Sequence, residues 1–332
     1  MPADKFDFIH IGHGKCLSTM LQHRWSASPR VNYFHGLDAG NNLSRAFLSG
    51  KRDPAQQKIE VQLPEDRPNV LSYECFMLFA TAEDTDPRHR HLVIERQDFI
   101  ASVLEPLSDR ALMVLRDPVD WIASCHAQYV NYGGALDLQG YFDAFRIPLL
   151  DNLRLDRILP LWRDRGFEVT ALPMEAYRDD RTQFWNLYTD ETGLEPPGET
   201  ASHALADNRT QAEKIEPRAR ANRIVGTLID AMGKNPLYAQ SAEHRKEAES
   251  LGVVNDQFRR WTVRRAFEAM TEDDLAAFRE AIGFRPDPSF SSLTLDAEAR
   301  EMLLDTYVAP LDTFETFAPY RARYRDSLAA AA

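Results

Sequence analysis

Apolar positions along the chain come first as short unbroken runs and later as stripes with helical spacing. Phe6 to Ile11 is nearly continuous in apolar and aromatic residues, and Val70 to Tyr73 and Ala111 to Leu115 are blocks of the same kind. Such runs predict strands covered on both faces, as in a parallel sheet. From about Thr200 the period changes. Ile224, Val225, Leu228, Ile229 and Met232 recur at helical spacing, as do Leu275, Phe278 and Ile282, which predicts helical faces packed on a core. Polar, proline-bearing stretches at Lys51 to Pro68 and Thr81 to His91 read as surface loops. Asn235 to Arg265, with Arg259, Arg260, Arg264 and Arg265, reads as a solvated helix face, or alternatively as a cover over an anion.

The residues just after the first apolar run carry chemistry. Gly12 and Gly14 let the chain turn tightly and bring backbone N–H groups close to an anion, and Lys15 adds a point charge. Ser18 and Thr19 fall in the first turn of the next helix, where hydroxyls and free N–H groups favour phosphate. His13, between the glycines, is placed to touch such a ligand through its backbone. A nucleoside triphosphatase loop has a hydroxyl after its lysine to hold magnesium, but here that residue is Cys16. This favours a phosphate-rich ligand held without a metal. A plain glycine turn with a solvated lysine is the simpler alternative.

Ala111 to Tyr129 repeats the strand, turn and helix pattern. Asp117 suits a helix N-cap and Pro118 the first helical position, so Arg116 ends a strand and Ser124 lies eight residues on, in the helix. That edge of an open α/β sheet is where ligands bind, and an arginine there can clamp phosphate with two parallel N–H bonds. The alternative is a surface ion pair for Arg116 and an ordinary helical serine.

Together these stretches resemble the sulfotransferase family that uses 3'-phosphoadenylyl sulfate (PAPS). Lys15-Cys16-Leu17-Ser18-Thr19-Met20-Leu21 is similar to the family's 5'-phosphosulfate loop, except that Leu17 stands where the family usually has glycine. Arg116, Pro118 and Ser124 match the spacing of its 3'-phosphate motif. Ile158 to Tyr177 is similar to the family's helix, strand (Glu168 to Leu172) and acidic-aromatic turn, with Glu175 read as structural. Asn208-Arg209-Thr210 is similar to a segment closing near the 3'-phosphate. The likeness covers roughly residues 5 to 215. It implies a P-loop-like three-layer α/β fold, with a central parallel sheet flanked by helices and a C-terminal helical region, divided as 1–215 and 216–332. The implied donor site is His13, Gly14, Lys15, Cys16, Leu17, Ser18, Thr19, Arg116, Ser124, Asn208 and Arg209. Sulfuryl transfer to a hydroxyl or amine of a glycan, lipid or small metabolite would release adenosine 3',5'-bisphosphate. An ATP-dependent small-molecule kinase and a non-catalytic nucleotide binder are the alternatives.

Such a reaction needs a base for the acceptor proton and a cation for the leaving phosphate. Lys15 fits the second role. Glu74, which ends the apolar run of VLSYECF, and His35, at a second strand end before Gly36, are the candidate bases. His10 falls inside the first strand and reads as a core histidine satisfied by a backbone group.

Composition narrows the setting. The 332 residues, 44% apolar, suffice for one large α/β domain with a helical appendage. Cys16, Cys75 and Cys125 form no C-x-x-C pair, so disulfides are not expected, and their closeness to the donor and acceptor loops suggests sensitivity to thiol reagents, the simpler alternative being three small buried side chains. Histidine and cysteine spacing suggests no metal site. No signal peptide or membrane span is legible, pointing to a cytoplasmic enzyme. The net charge of −12 disfavours nucleic acid as a partner.

Overall fold

A computed structural model describes residues 5–57, 59, 61–82, 86–198, 212–233 and 263–332. Strand β1 (Phe8–Gly12) leads into helix α1 (Ser18–Ala27), β2 (Asn32–His35), α2 (Leu37–Leu48) and β3 (Asn69–Ser72). Then come α3 (Val93–Leu104), β4 (Arg110–Leu115), α4 (Pro118–Asn131), α5 (Leu138–Asn152), α6 (Leu155–Asp164) and β5 (Glu168–Pro173). Helices α7 (Met174–Asp179), α8 (Arg181–Thr192), α9 (Ala212–Gly233), α10 (Arg264–Ala269), α11 (Glu272–Ala281), α12 (Ala297–Leu303) and α13 (Arg321–Ala330) complete the order.

Among the described residues the strands form one all-parallel sheet in the order β2-β3-β1-β4-β5, flanked by helices. All five residues of β1 are buried, as are all four of β3, because helices cover both faces. The chain moves from β1 outward to β2, returns through β3, and crosses to β4 on the other side of β1. Loops after β1 and β4 therefore diverge from a topological switch point, where an open α/β sheet binds its ligands. The apolar run predicts a strand from Phe6, but regular pairing begins at Phe8. Phe6 N–H goes to Leu107 O and Asp7 N–H to Asn69 O instead.

The core reaches into the C-terminal segment. Trp25, Trp121 and Trp162 are fully buried in the same cluster as Tyr307, Val308, Leu311, Tyr324 and Leu328. Helix α9 runs through the expected 215/216 boundary. The helical stripes are only partly packed. Leu275 is buried in a cluster with Ala221, Val263 and Phe267, against which Phe278 and Val225 pack, but Ile224 is 48% exposed and Leu228 59% exposed. Apolar spacing there marks a helix without marking a fully covered face.

Among the described residues no helix is long and apolar enough to cross a membrane.

Candidate functional site

The loop between β1 and α1 turns its carbonyls inward. His13 O accepts Cys16 N–H at 3.2 Å, Gly14 O accepts the Trp121 indole N–H at 2.8 Å, and Lys15 O accepts Arg116 Nη1 at 3.3 Å. With the carbonyls tied down, the N–H groups of Gly14, Lys15, Leu17, Ser18, Thr19 and Met20 have no backbone acceptor among the described residues. A run of free N–H groups at a helix start is an anion cradle. Lys15 (φ 70°) and Leu17 (φ 60°) lie in the left-handed region. Leu17 thus keeps the backbone turn that favours glycine, at a cost of about 1 kcal/mol, while its side chain packs on the core.

Gly12 explains how the loop meets β3. A Cβ there would lie 2.6 Å from Glu74 O, so only glycine lets the end of β1 approach the turn after β3 this closely. Glu74 opens that turn (Glu74–Phe76), is half-buried, and forms no ion pair among the described residues, and the same holds for Lys15. Lys15, Arg116 and Glu74 each lie near enough to act electrostatically on the buried Cys125 thiol, whose pKa burial raises to about 12. His35 stands apart. It ends β2, two strands from β1 and thus roughly 10 Å across the sheet. It is exposed, and its Nδ1 accepts Leu37 N–H at 3.2 Å.

The Glu74 turn is held from behind. Buried Arg96 donates to Phe76 O (3.1 Å), Cys75 O (2.8 Å) and Ser44 Oγ (2.9 Å), and Gln97 Nε2 donates to Phe76 O (3.1 Å) and Met77 O (2.7 Å). Burial holds the guanidinium down at about 10, so it stays charged at neutral pH. Arg96→Ala would strand these carbonyls in a dry environment, and stability to urea should fall by on the order of 3 kcal/mol. A change under about 1 kcal/mol would contradict this account.

Arg116 is 6% exposed and its carbonyl accepts Tyr307 OH at 2.6 Å. Asp117 caps α4 by accepting Val119 and Asp120 N–H at 2.9 and 3.1 Å, with Pro118 in the first turn. Burial raises the Asp117 carboxyl to about 6, and Ser327 Oγ donates to it at 2.9 Å. Glu175, fully buried, accepts Asp117 N–H at 3.0 Å and the Tyr324 hydroxyl, so its role is structural as read from sequence. The C-terminal helices thereby brace the Arg116 turn. Ser124 lies one helical turn beyond Asp120, on the same face of α4, half-buried and with no hydrogen bond to its hydroxyl among the described residues. Asn208 and Arg209 lie outside the described residues, as do Arg259 and Arg260.

Sequence expectations need correction at His13 and His10. The His13 N–H goes to Val114 O at 3.2 Å, so its backbone offers no free donor to a ligand. His10 is a core residue, but its Nδ1 pairs with the Ser72 hydroxyl at 2.7 Å instead of a backbone group, and its Nε2 has no partner among the described residues. Cys16 and Cys125 are the small buried side chains of the simpler alternative and Cys75 is partly exposed; burial raises all three thiols, Cys125 to about 12, which disfavours reaction with thiol reagents. Sequence reasoning also missed Trp121, Asp120, Arg178, Arg96 and Gln97. Arg178 had a usable signal, since it comes shortly after an apolar run at the sheet's carboxyl edge.

His13 Nε2 lies 3.1 Å from Asn152 O and its ring packs on Trp121 at 4.5 Å. Burial lowers its pKa to about 4 and that of His10 to about 3, from 6.5. Between these values and 6.5 the unfolded chain binds protons that the folded one refuses, so stability falls as pH drops below 6.5. Asp117 opposes this, because its raised pKa favours the folded state below about 6. These three groups together should cost roughly 2–3 kcal/mol between pH 7 and pH 5 in urea unfolding, and His126, also lowered by burial, acts in the same direction. Stability that is flat or rising over that interval would refute the assignment of two neutral core histidines.

Among the described residues no three His, Cys, Asp or Glu side chains are grouped to hold a metal ion. A cavity of about 530 Å³ lined by Arg279, Phe284 and Arg285 lies on the C-terminal helices and shares no residue with the β1–α1, β3–α3 and β4–α4 loops. Compared with protein-family models and with curated proteins, the chain matches none.

Proposed function

We propose that this protein is a P-loop-like sulfotransferase that moves the sulfuryl group of PAPS to an acceptor hydroxyl or amine and releases adenosine 3',5'-bisphosphate. The observation that carries the reading is the joining of two anion-binding elements across the sheet's switch point. The cradle of free N–H groups with Lys15 is hydrogen-bonded, through Lys15 O, to the buried guanidinium of Arg116. A donor with phosphates at both ends of one ribose calls for two such elements side by side.

The residues fit that donor. The loop N–H groups with Ser18 and Thr19 would hold the 5'-phosphosulfate, and Arg116 with Ser124 the 3'-phosphate. Transfer of this kind passes through a loose, in-line transition state in which positioning and charge neutralisation supply most of the catalysis. Lys15 would stabilise charge on the bridging oxygen as its bond to sulfur breaks. Glu74 would take the acceptor's proton as the new bond to sulfur forms. Glu74 is preferred over His35 because the Gly12 contact sets it beside the donor loop. A glycan, lipid or small-metabolite hydroxyl suits that half-buried carboxylate. A reducing, cytoplasmic setting belongs to the same proposal and is supported by three free thiols.

Thermal unfolding in the presence of EDTA tests the reading. Adenosine 3',5'-bisphosphate at 100 times its dissociation constant should stabilise the protein by about 2.7 kcal/mol. An unshifted transition at millimolar bisphosphate would contradict the reading.

A further inference from the structure

Arg116 and Arg178 stand on different elements and converge on one oxygen. Arg116 Nη2 donates to Asp120 Oδ2 at 3.0 Å, and Arg178 Nη1, from α7, donates to the same Oδ2 at 2.7 Å. The two guanidiniums together lower the Asp120 carboxyl, outweighing the effect of its partial burial. The Asp120 side chain is 48% exposed, whereas that of Arg116 is 7% exposed. On the inner side, the Glu175 carboxylate is engaged by Asp117 N–H and Tyr324, while Asp117 Oδ1 takes the α4 N–H groups and Ser327. Asp179, next in the chain, pairs with Arg323.

A surface ion pair alone does not account for this geometry. The Arg116 Nε is buried and has no hydrogen-bond partner among the described residues. Nε and Nη2 form one edge of the guanidinium, whose two parallel N–H groups match a two-oxygen anion. Asp120 fills one of them and leaves the other empty. A phosphomonoester, with up to two negative charges and three terminal oxygens, can meet both N–H groups of that edge and Arg178 Nη1 together.

We infer that Arg178 is a second phosphate-binding residue, and that Asp120 is a displaceable counterion holding both guanidiniums until the donor's 3'-phosphate takes its place. Being half exposed, Asp120 can swing into water when it is displaced. The inference rests on the proposed PAPS donor and adds to it a residue and an exchange.

Calorimetric titration of the full chain in EDTA separates the two. Adenosine 3',5'-bisphosphate and adenosine 5'-phosphate are compared, since only the first carries the phosphate in question. Wild type should prefer the bisphosphate. Arg178→Ala should weaken bisphosphate binding by about 10- to 100-fold, the loss of one charge-assisted hydrogen bond, and leave adenosine 5'-phosphate within about twofold. Arg178→Lys should recover part of the loss, and Asp120→Asn should tighten the bisphosphate by about 3- to 10-fold by removing a like charge. If Arg178→Ala and Arg178→Lys both keep the full wild-type preference, or if Asp120→Asn does not tighten binding, this inference is wrong while the donor assignment stands. If wild type shows no preference for the bisphosphate, both are wrong.

Discussion

Replacing Lys15 with alanine is expected to lower sulfuryl transfer by about 10²- to 10³-fold, the usual cost of removing one group that stabilises transition-state charge. The lysine is suited to this because its backbone is fixed while its ammonium is not. Lys15 O is held by Arg116, Gly14 O by Trp121, and the side chain forms no ion pair among the described residues. A cation with no ion pair among the described residues is available to a charge that develops only during reaction. Binding of adenosine 3',5'-bisphosphate should weaken far less than turnover, by under about tenfold, since the cradle of N–H groups remains. The check is labelled transfer from PAPS beside a calorimetric titration of each protein. Equal losses in the two would make Lys15 a binding residue only, and unchanged transfer would remove it from the site.

Arg116→Ala should act on affinity first. In the proposed site its fork is the central donor to the 3'-phosphate, and its loss leaves Asp120 opposite the ligand with Arg178 alone as counterion. Bisphosphate binding should weaken by about 10²- to 10³-fold, corresponding to the loss of two charge-assisted hydrogen bonds. Arg116→Lys keeps the charge but not the fork, so it should recover only part of this. The measurement is the dissociation constant of each variant at fixed salt, because phosphate contacts weaken with ionic strength. Wild-type affinity in Arg116→Ala would contradict the site as described. Arg116→Ala also removes the bond to Lys15 O, so unfolding curves should accompany the titrations.

Much of the fold is legible in the sequence because the strongest local signals agree with the final packing. Ala111 to Leu115 is a buried apolar run because β4 lies inside the sheet, and Asp117-Pro118 starts a helix because one caps it and the other fits its first turn. The candidate site is legible to the extent that it depends on residues close in sequence. Ser18 and Thr19 open α1 where the glycine-lysine loop places them. The features that escape sequence reasoning depend on long-range partners. Arg96 and Gln97 hold the Glu74 turn from about twenty residues away, and nothing in their own helix marks them out. Tyr324 and Ser327 brace the Arg116 turn from a helix near the C-terminus. The stripe at Ile224 and Leu228 misleads because helical spacing reports an apolar face, not what covers it.

The bracing also bears on function. Tyr307 donates to Arg116 O, Ser327 to the Asp117 cap and Tyr324 to Glu175, which in turn holds Asp117 N–H, so the C-terminal helices belong to the scaffold of the proposed 3'-phosphate site. An arginine on an unbraced turn would sample several rotamers, and ordering it at the moment of binding would cost affinity.

The most direct test of the central claim is one calorimetric comparison on the purified full chain: adenosine 3',5'-bisphosphate in EDTA against ADP with excess magnesium. Metal-independent binding of the bisphosphate, clearly tighter than that of ADP with magnesium and lost in Arg116→Ala, is the predicted result. Preference for ADP with magnesium, undisturbed by Arg116→Ala, would contradict the sulfotransferase reading and favour an ATP-dependent kinase instead.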